Sequence, residues 1–304
     1  MSRPARPAAG PAGQTVRTGS VQGKGGQRVR GFGVKAAIAA VVVALAAVVV
    51  VVVMFSSNNA VKTPGCTVAL PKGPNDASAP QYTLQPDAMG NAATIAAVGV
   101  KQGLPAHAVT VALATALQES KLRNLSGGDR DSVGLFQQRP SQGWGTPAQL
   151  QDPVYAATEF YKKLAKLDNW QTLPITEAAQ AVQRSGAPDA YAQWEDEAAA
   201  LGGALTGQYP AALTCRNLTL SPPADLVAAA SAELGTARLS GAHPPAEGWR
   251  IASWLVGRAA KLGIDKVSFA GQTWTADSGA WAADEHAGQN LSLHQAPVAP
   301  PSST

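Results

Sequence analysis

An unbroken run of 20 Ala, Val, Ile, Leu, Met and Phe residues, Ala36 to Phe55, constrains this chain more than any other feature. At 1.5 Å rise per residue such a helix covers the ~30 Å hydrocarbon core of a bilayer. The modest helix propensity of Val matters little there, because every backbone polar group in lipid must be paired within the segment. The run exceeds the ~7–15 residues of a signal-peptide core, so a single uncleaved transmembrane helix is expected. A long signal peptide cut near Ser56 to Ala60 is the alternative. Residues 1–35 carry Arg3, Arg6, Arg17, Lys24, Arg28, Arg30 and Lys35 and no acid. This asymmetry puts the N-terminus in the cytoplasm and the remainder outside the plasma membrane. The same segment is rich in Gly, Pro, Ser and Gln and is expected to be a disordered cytoplasmic tail.

The formal charge of +4 belongs to that tail. Without its seven basic residues the chain has 17 basic against 20 acidic residues, a net of −3. Nucleic acid is thereby excluded as a partner on charge grounds. The two cysteines, Cys66 and Cys215, both fall on the outer side. An even count in an oxidising compartment points to one disulfide.

Residues 56–81 are polar and rich in Pro and Asn, as in a stalk. Residues 82–216 carry helical patterns over Pro86 to Lys101, Pro105 to Ser120, from Asp152-Pro153 onward, over Thr176 to Ser185, and over Asp189 to Leu205. A linker, 217–223, leads to a smaller unit, 224–295. There Ala224 to Leu234 and Glu247 to Leu262 read as helices. Lys266 to Ala270 and Gln272 to Thr275 alternate about Gly271 as a tight hairpin, and Leu291 to Leu293 adds a strand. The tail, 296–304, is Pro- and Ser-rich and expected to be disordered. The expected fold class is a mainly α domain after a single transmembrane helix, followed by a small α/β domain.

Glu119 stands out physically. Its neighbours one and two turns back, Thr115, Ala116, Val111 and Ala112, are small and mostly apolar. The carboxyl therefore emerges beside the core-facing stripe of Val109, Leu113 and Leu117. It also sits at a helix C-terminus, where the macrodipole disfavours negative charge. Both effects raise its pKa and hold it protonated, as a glycosidase general acid requires. A solvated helix-end Glu near Lys121 or Arg123 is the plainer alternative.

Three runs extend the pattern: Glu119-Ser120 at a helix end, Gly134-Leu135-Phe136-Gln137 after a polar turn, and Ala178-Ala179-Gln180-Ala181-Val182-Gln183-Arg184-Ser185-Gly186 on a later helix. In order and setting they resemble three motifs of the lysozyme-like superfamily, and most of all bacterial lytic transglycosylases. The likeness covers 82–210. The third motif departs from the Asn-Ala-Gly-like run usual there. The resemblance implies a lysozyme-like domain in which one Glu, here Glu119, protonates the glycosidic oxygen. The substrate's N-acetyl group assists departure. The same Glu then deprotonates the sugar 6-hydroxyl to close an anhydro ring. No cofactor is implied, and the implied partner is the peptidoglycan glycan strand.

The candidate substrate contacts are Ser120, Gln137, Gln138, Trp144, Asp131, Gln183 and Tyr191. Gln137 and Gln138 offer amides suited to N-acetyl groups, and in an extended stretch they face opposite ways, so one binds and the other is structural. Trp144, between Gly143 and Gly145, is either a sugar platform or a loop anchor. Asp129 and Asp131 are turn residues, unless one faces the cleft and positions water for a hydrolase. Trp170 and Trp194 are read as packing. A calcium loop starting at Asp129 fails, because Val133 and Pro140 fall where ligands are needed. His107, His243, His286 and His294 lack zinc-site spacing. No metal is expected.

Trp249 to Ala252 with Lys266 to Thr275 faintly resembles a small α/β module of secreted proteins from high-GC bacteria. No activity is inferred from it. Two function classes stay open: a membrane-anchored peptidoglycan-cleaving glycosidase of lytic transglycosylase or muramidase type, and a non-catalytic peptidoglycan-binding or scaffolding protein of the envelope.

Overall fold

The computed structural model describes residues 63–71 and 79–297. The expected span at 36–55, the basic segment 1–35 and most of the C-terminal tail lie outside these residues. Among the described residues no helix is long and apolar enough to cross a membrane. The expected fold class is corrected accordingly. What the described residues form is a set of helices, none of them long and apolar enough to cross a membrane, with two small antiparallel sheets.

The centre of the structure is α1, Pro86–Lys101, opened by Pro at its first position. It is buried on nearly every face from Ala88 to Gly99. A helix apolar all round must be covered all round. Two later helices cover one side: α2, Ala106–Ser120, and, after the four-residue α3 (Pro147–Leu150), α4, Pro153–Leu164. The Tyr161 hydroxyl donates to Ile95 O at 2.9 Å, and a Cβ at Gly99 would sit 2.7 Å from that hydroxyl. Two more helices, α5 (Ile175–Gln183) and α6 (Glu195–Leu205), pack on α2. Asp152 caps α4 through Val154 N at 2.9 Å. The expected helix over Asp189 to Leu205 begins instead as a 3-10 segment, Pro188–Trp194, before α6.

The other side of α1 is covered by the chain beyond 217. This part contains α7 (Leu226–Glu233), α8 (Pro245–Gly257) and the short α9 (Ala259–Leu262), which ends on Gly263 at φ 68°. Glu233 is buried. It accepts hydrogen bonds from Thr94 Oγ1 of α1, Trp254 Nε1 and Arg258, each at 2.8 Å. Lys101 donates to Ser231 O and Ala232 O. The two segments read as separate domains thus share one core, and they fall in one compact unit.

In the first sheet β1 (Gly65–Ala69) lies between β2 (Gln81–Leu84) and β3 (Leu213–Arg216). Residues 65–69, expected in a stalk, are therefore a central strand. Cys66 lies directly opposite Cys215 and the two form a disulfide across a sequence separation of 149. The second sheet has the order β6-β5-β4-β7: β4 is Ile264–Phe269, β5 Gln272–Thr275, β6 Trp281–Ala283 and β7 Ser292–Gln295. The β4–β5 turn places Ala270 and Gly271 both at positive φ, 53° and 73°, as a two-residue hairpin needs. Two indoles of this sheet bind β3: Trp274 Nε1 donates to Cys215 O and Trp281 Nε1 to Leu213 O.

Candidate active site

Glu119 is the penultimate residue of α2, whose apolar stripe of Val109, Leu113 and Leu117 is buried. The chain then turns sharply. Lys121 and Leu122 both take left-handed φ, 56° and 58°, which costs free energy for residues with a Cβ. The turn is held by full burial of Leu122 and by Asn91 Nδ2 donating to Leu122 O at 2.8 Å. It leaves the last turn of α2 facing the loop that carries Gly134 to Gln137.

Burial pushes the Glu119 carboxyl above its ordinary value. Hydrogen bonding to Tyr191 and to the Gln183 amide, and the charge of the nearby Lys121 ammonium, offset part of that rise. The Tyr191 hydroxyl donates to Glu119 Oε1 at 2.8 Å. Tyr191 itself is fully buried on the 3-10 segment before α6, and burial is also the main cause raising its phenol.

The other expected contacts divide. Ser120 is buried, and its Oγ donates to Leu135 O at 2.7 Å, so it latches the helix end to the loop instead of facing substrate. Gln138 is also turned inward, with Nε2 donating to Ala156 O at 3.2 Å. Gln137, at φ 47°, is half-buried; its Nε2 donates to Gly134 O, and a Cβ at Gly128 would collide with its Oε1. Gly134, at φ 79°, lies where a Cβ would collide with the Leu150 carbonyl, which accounts for glycine at that motif position.

Asp131 is occupied by its own loop. Its carboxylate accepts from Arg139 Nε (2.8 Å), Ser141 N (2.7 Å) and Ser141 Oγ (3.0 Å). The Arg139 hydrogen bond, followed by those from Ser141, holds it well below the usual carboxylate range. Asp129 is exposed, 3.9 Å from Arg130. Among the described residues no group of three or more His, Cys, Asp or Glu is placed to hold a metal ion.

Gln183, at the end of α5, connects two features. Its Nε2 donates to Phe136 O at 2.8 Å, which ties the third motif to the second, and its amide lies beside Glu119. It also lines an open pocket of about 570 Å³ with Trp144, Lys163, Lys166, Val182 and Arg184. Trp144 is 6% exposed, and Lys163 Nζ stands 3.1 Å from the centroid of its ring. Trp170 is buried, and Trp194 Nε1 donates to Gln118 Oε1 at 2.8 Å.

The three pocket cations were not singled out in the sequence. Lys163 lies in the last turn of α4, Lys166 just beyond it, and Arg184 caps the C-terminus of α5, so no local motif joins them. Only the packing of the two helices does so. A scan against protein-family models finds no match, and a search of curated proteins finds no relative of this chain.

Proposed function

We propose that this chain cleaves peptidoglycan glycan strands outside the cytoplasm, as a lytic transglycosylase or muramidase with Glu119 as general acid and base. The observation that carries the proposal is the Glu119 carboxyl: half-buried at a helix end, raised in pKa, held by Tyr191 and adjoining an open pocket through Gln183. The likeness of Glu119-Ser120 and Gly134 to Gln137 to lytic transglycosylase motifs supports the same reading. The Cys66–Cys215 disulfide suits an oxidising compartment.

In the proposed reaction protonated Glu119 gives its proton to the glycosidic oxygen as the C1–O bond breaks. The substrate's acetamido oxygen bonds to C1. The 6-hydroxyl oxygen then displaces it, and the Glu119 carboxylate takes the hydroxyl proton, which restores the acid and leaves a 1,6-anhydro sugar. Asp131, saturated by Arg139 and Ser141, is poorly suited to direct water, so the anhydro product is the expected one.

The test is Glu119→Gln in the purified full-length protein, read by mass spectrometry of released muropeptides. General acid–base help contributes typically ~10²–10⁴-fold, and one residue in both roles puts the loss at the upper end. A second reading, a non-catalytic glycan binder, draws on the fact that Glu119 adjoins the pocket without lining it. Wild-type protein that binds peptidoglycan, releases no muropeptide, and loses no affinity on Glu119→Gln is that binder.

A further inference from the structure

The pocket beside Gln183 is strongly cationic. Lys163, Lys166 and Arg184 line it together with Trp144 and no acid. Among the described residues none of the three cations has a salt-bridge partner; the nearby Glu159 is paired with Lys162 at 2.7 Å. Lys163 is held over the Trp144 ring, which fixes its ammonium at the pocket wall. Burial, and then the neighbouring Arg184, push its pKa down. Cations near helix C-termini complement the macrodipole, and that accounts for each one singly. It does not account for three converging on one concave site.

We infer that this pocket receives a carboxylate-bearing substituent of the glycan: the lactyl-peptide branch carried by muramic acid, engaged by Lys163, Lys166 and Arg184. The inference rests on the proposed peptidoglycan reading and names the part of the substrate that selects it. Gln183 supplies the geometric link, because it touches the surroundings of Glu119 on one side and the pocket on the other. A group bound there is thus tethered close to the bond that Glu119 would cleave. On a peptidoglycan strand the anionic group nearest a cleavable bond is this branch. A polyol-phosphate polymer is anionic too, but it offers no sugar bond for Glu119.

The experiment measures binding by calorimetry to full-length protein carrying Glu119→Gln, so that turnover does not consume the ligand. The probes are peptide-bearing glycan fragments with free carboxylates, the same fragments with those carboxylates converted to primary amides, the free peptide, and a polyol-phosphate oligomer. The expected result is at least about tenfold tighter binding of the free-carboxylate glycan than of its amide. That preference should weaken with salt and vanish in Lys163→Gln/Arg184→Gln protein whose melting temperature is unchanged. Equal binding of acid and amide forms overturns the inference, as does a preference that survives the double substitution, tighter binding of the phosphate oligomer, or no binding of any probe. Discrimination between acid and amide in the free peptide, without any affinity for glycan, keeps the anion pocket and removes the glycan reading.

Discussion

The Tyr191 hydroxyl donates a 2.8 Å hydrogen bond to Glu119 Oε1, from a segment 72 residues further along the chain. A donor to a carboxylate favours its ionised form, so this bond opposes the burial that raises the pKa of the acid. Tyr191→Phe removes the donor and keeps the buried ring. Glu119 should then hold its proton to higher pH. The alkaline limb of the pH–rate profile of muropeptide release should move upward, and the rate at the optimum should fall by less than about tenfold, the range for one lost hydrogen bond. An unmoved limb with a large loss of rate means that Tyr191 acts by another route.

Glu119→Gln should also change stability, with a defined pH dependence. The folded-state pKa is raised above the ordinary value of 4.5. Below 4.5 both folded and unfolded chains are protonated, and the amide gains nothing over the acid. As pH rises through the folded pKa, the wild type must bury a charge or release it, and its stability falls. The variant should therefore melt higher than wild type at neutral pH, with ~2–4 °C for each kcal/mol regained in a unit of this size, and equal to it at pH 4. Calorimetric melts across that range check the sign.

The site was legible where chemistry is local. Glu119 at a helix end on an apolar stripe and the glycine at 134 both follow short runs of sequence, whereas the bond from Gln183 to Phe136 O, 47 residues away, does not. What was illegible depended on which way a side chain turns. Ser120 and Gln138 look like polar ligand groups in one dimension, yet Leu135 O and Ala156 O take their hydrogen bonds inside the fold. The fold shows the same division. Caps and turns such as Asp152, Gly263 and Ala270-Gly271 lie where the residues place them. The sequence divides at 217–223, but α1, an Ala- and Gly-rich helix without a polar face, needs cover on both sides, and its second layer comes from residues beyond 217.

Asp131→Asn discriminates between the two glycosidase chemistries. The Asp131 carboxylate holds Arg139 and Ser141, and its pKa is depressed by them, so the clamp is at full strength above the ordinary aspartate value and is lost only in strong acid. At neutral pH the substitution should loosen residues 129–141 and lower activity by less than ~10²-fold, the lower bound for a general acid or base. The released glycan ends should stay 1,6-anhydro. Reducing ends in the wild type, together with a loss on Asp131→Asn as large as that of Glu119→Gln, would instead assign Asp131 to positioning water.

Reduction of Cys66–Cys215 should lower stability substantially. The bond closes a loop of 149 residues that contains α1 through α6, and chain-entropy arguments give ~5 kcal/mol for so long a loop. Cys66→Ser/Cys215→Ser should melt roughly 10 °C or more below wild type, and reductant should lower the wild type toward the variant. Full alkylation of both cysteines in native protein without reductant would contradict the bond.

Glu233 links the part that carries Glu119 to the C-terminal part, and its substitution tests whether they fold as one. Its carboxylate accepts from Thr94 of α1, from Trp254 and from Arg258, and the ion-pair side chains are 10% and 6% exposed for Arg258 and Glu233. Glu233→Gln retains an oxygen for Thr94 and Trp254 but leaves the Arg258 guanidinium buried without an anion. Breaking such a pair costs ~3–5 kcal/mol, because the remaining charge is uncompensated. If α1 belongs to both halves, this cost is felt throughout. Tryptophan fluorescence and circular dichroism should report one transition in wild type and one in Glu233→Gln, the latter lower by roughly 10 °C. Muropeptide release should lose heat tolerance to the same degree, although Glu233 lies outside the candidate site. Two separable transitions, with only one displaced and release unaffected, would show that the C-terminal part is an appended domain and that the layer it forms over α1 is dispensable to the half that carries Glu119.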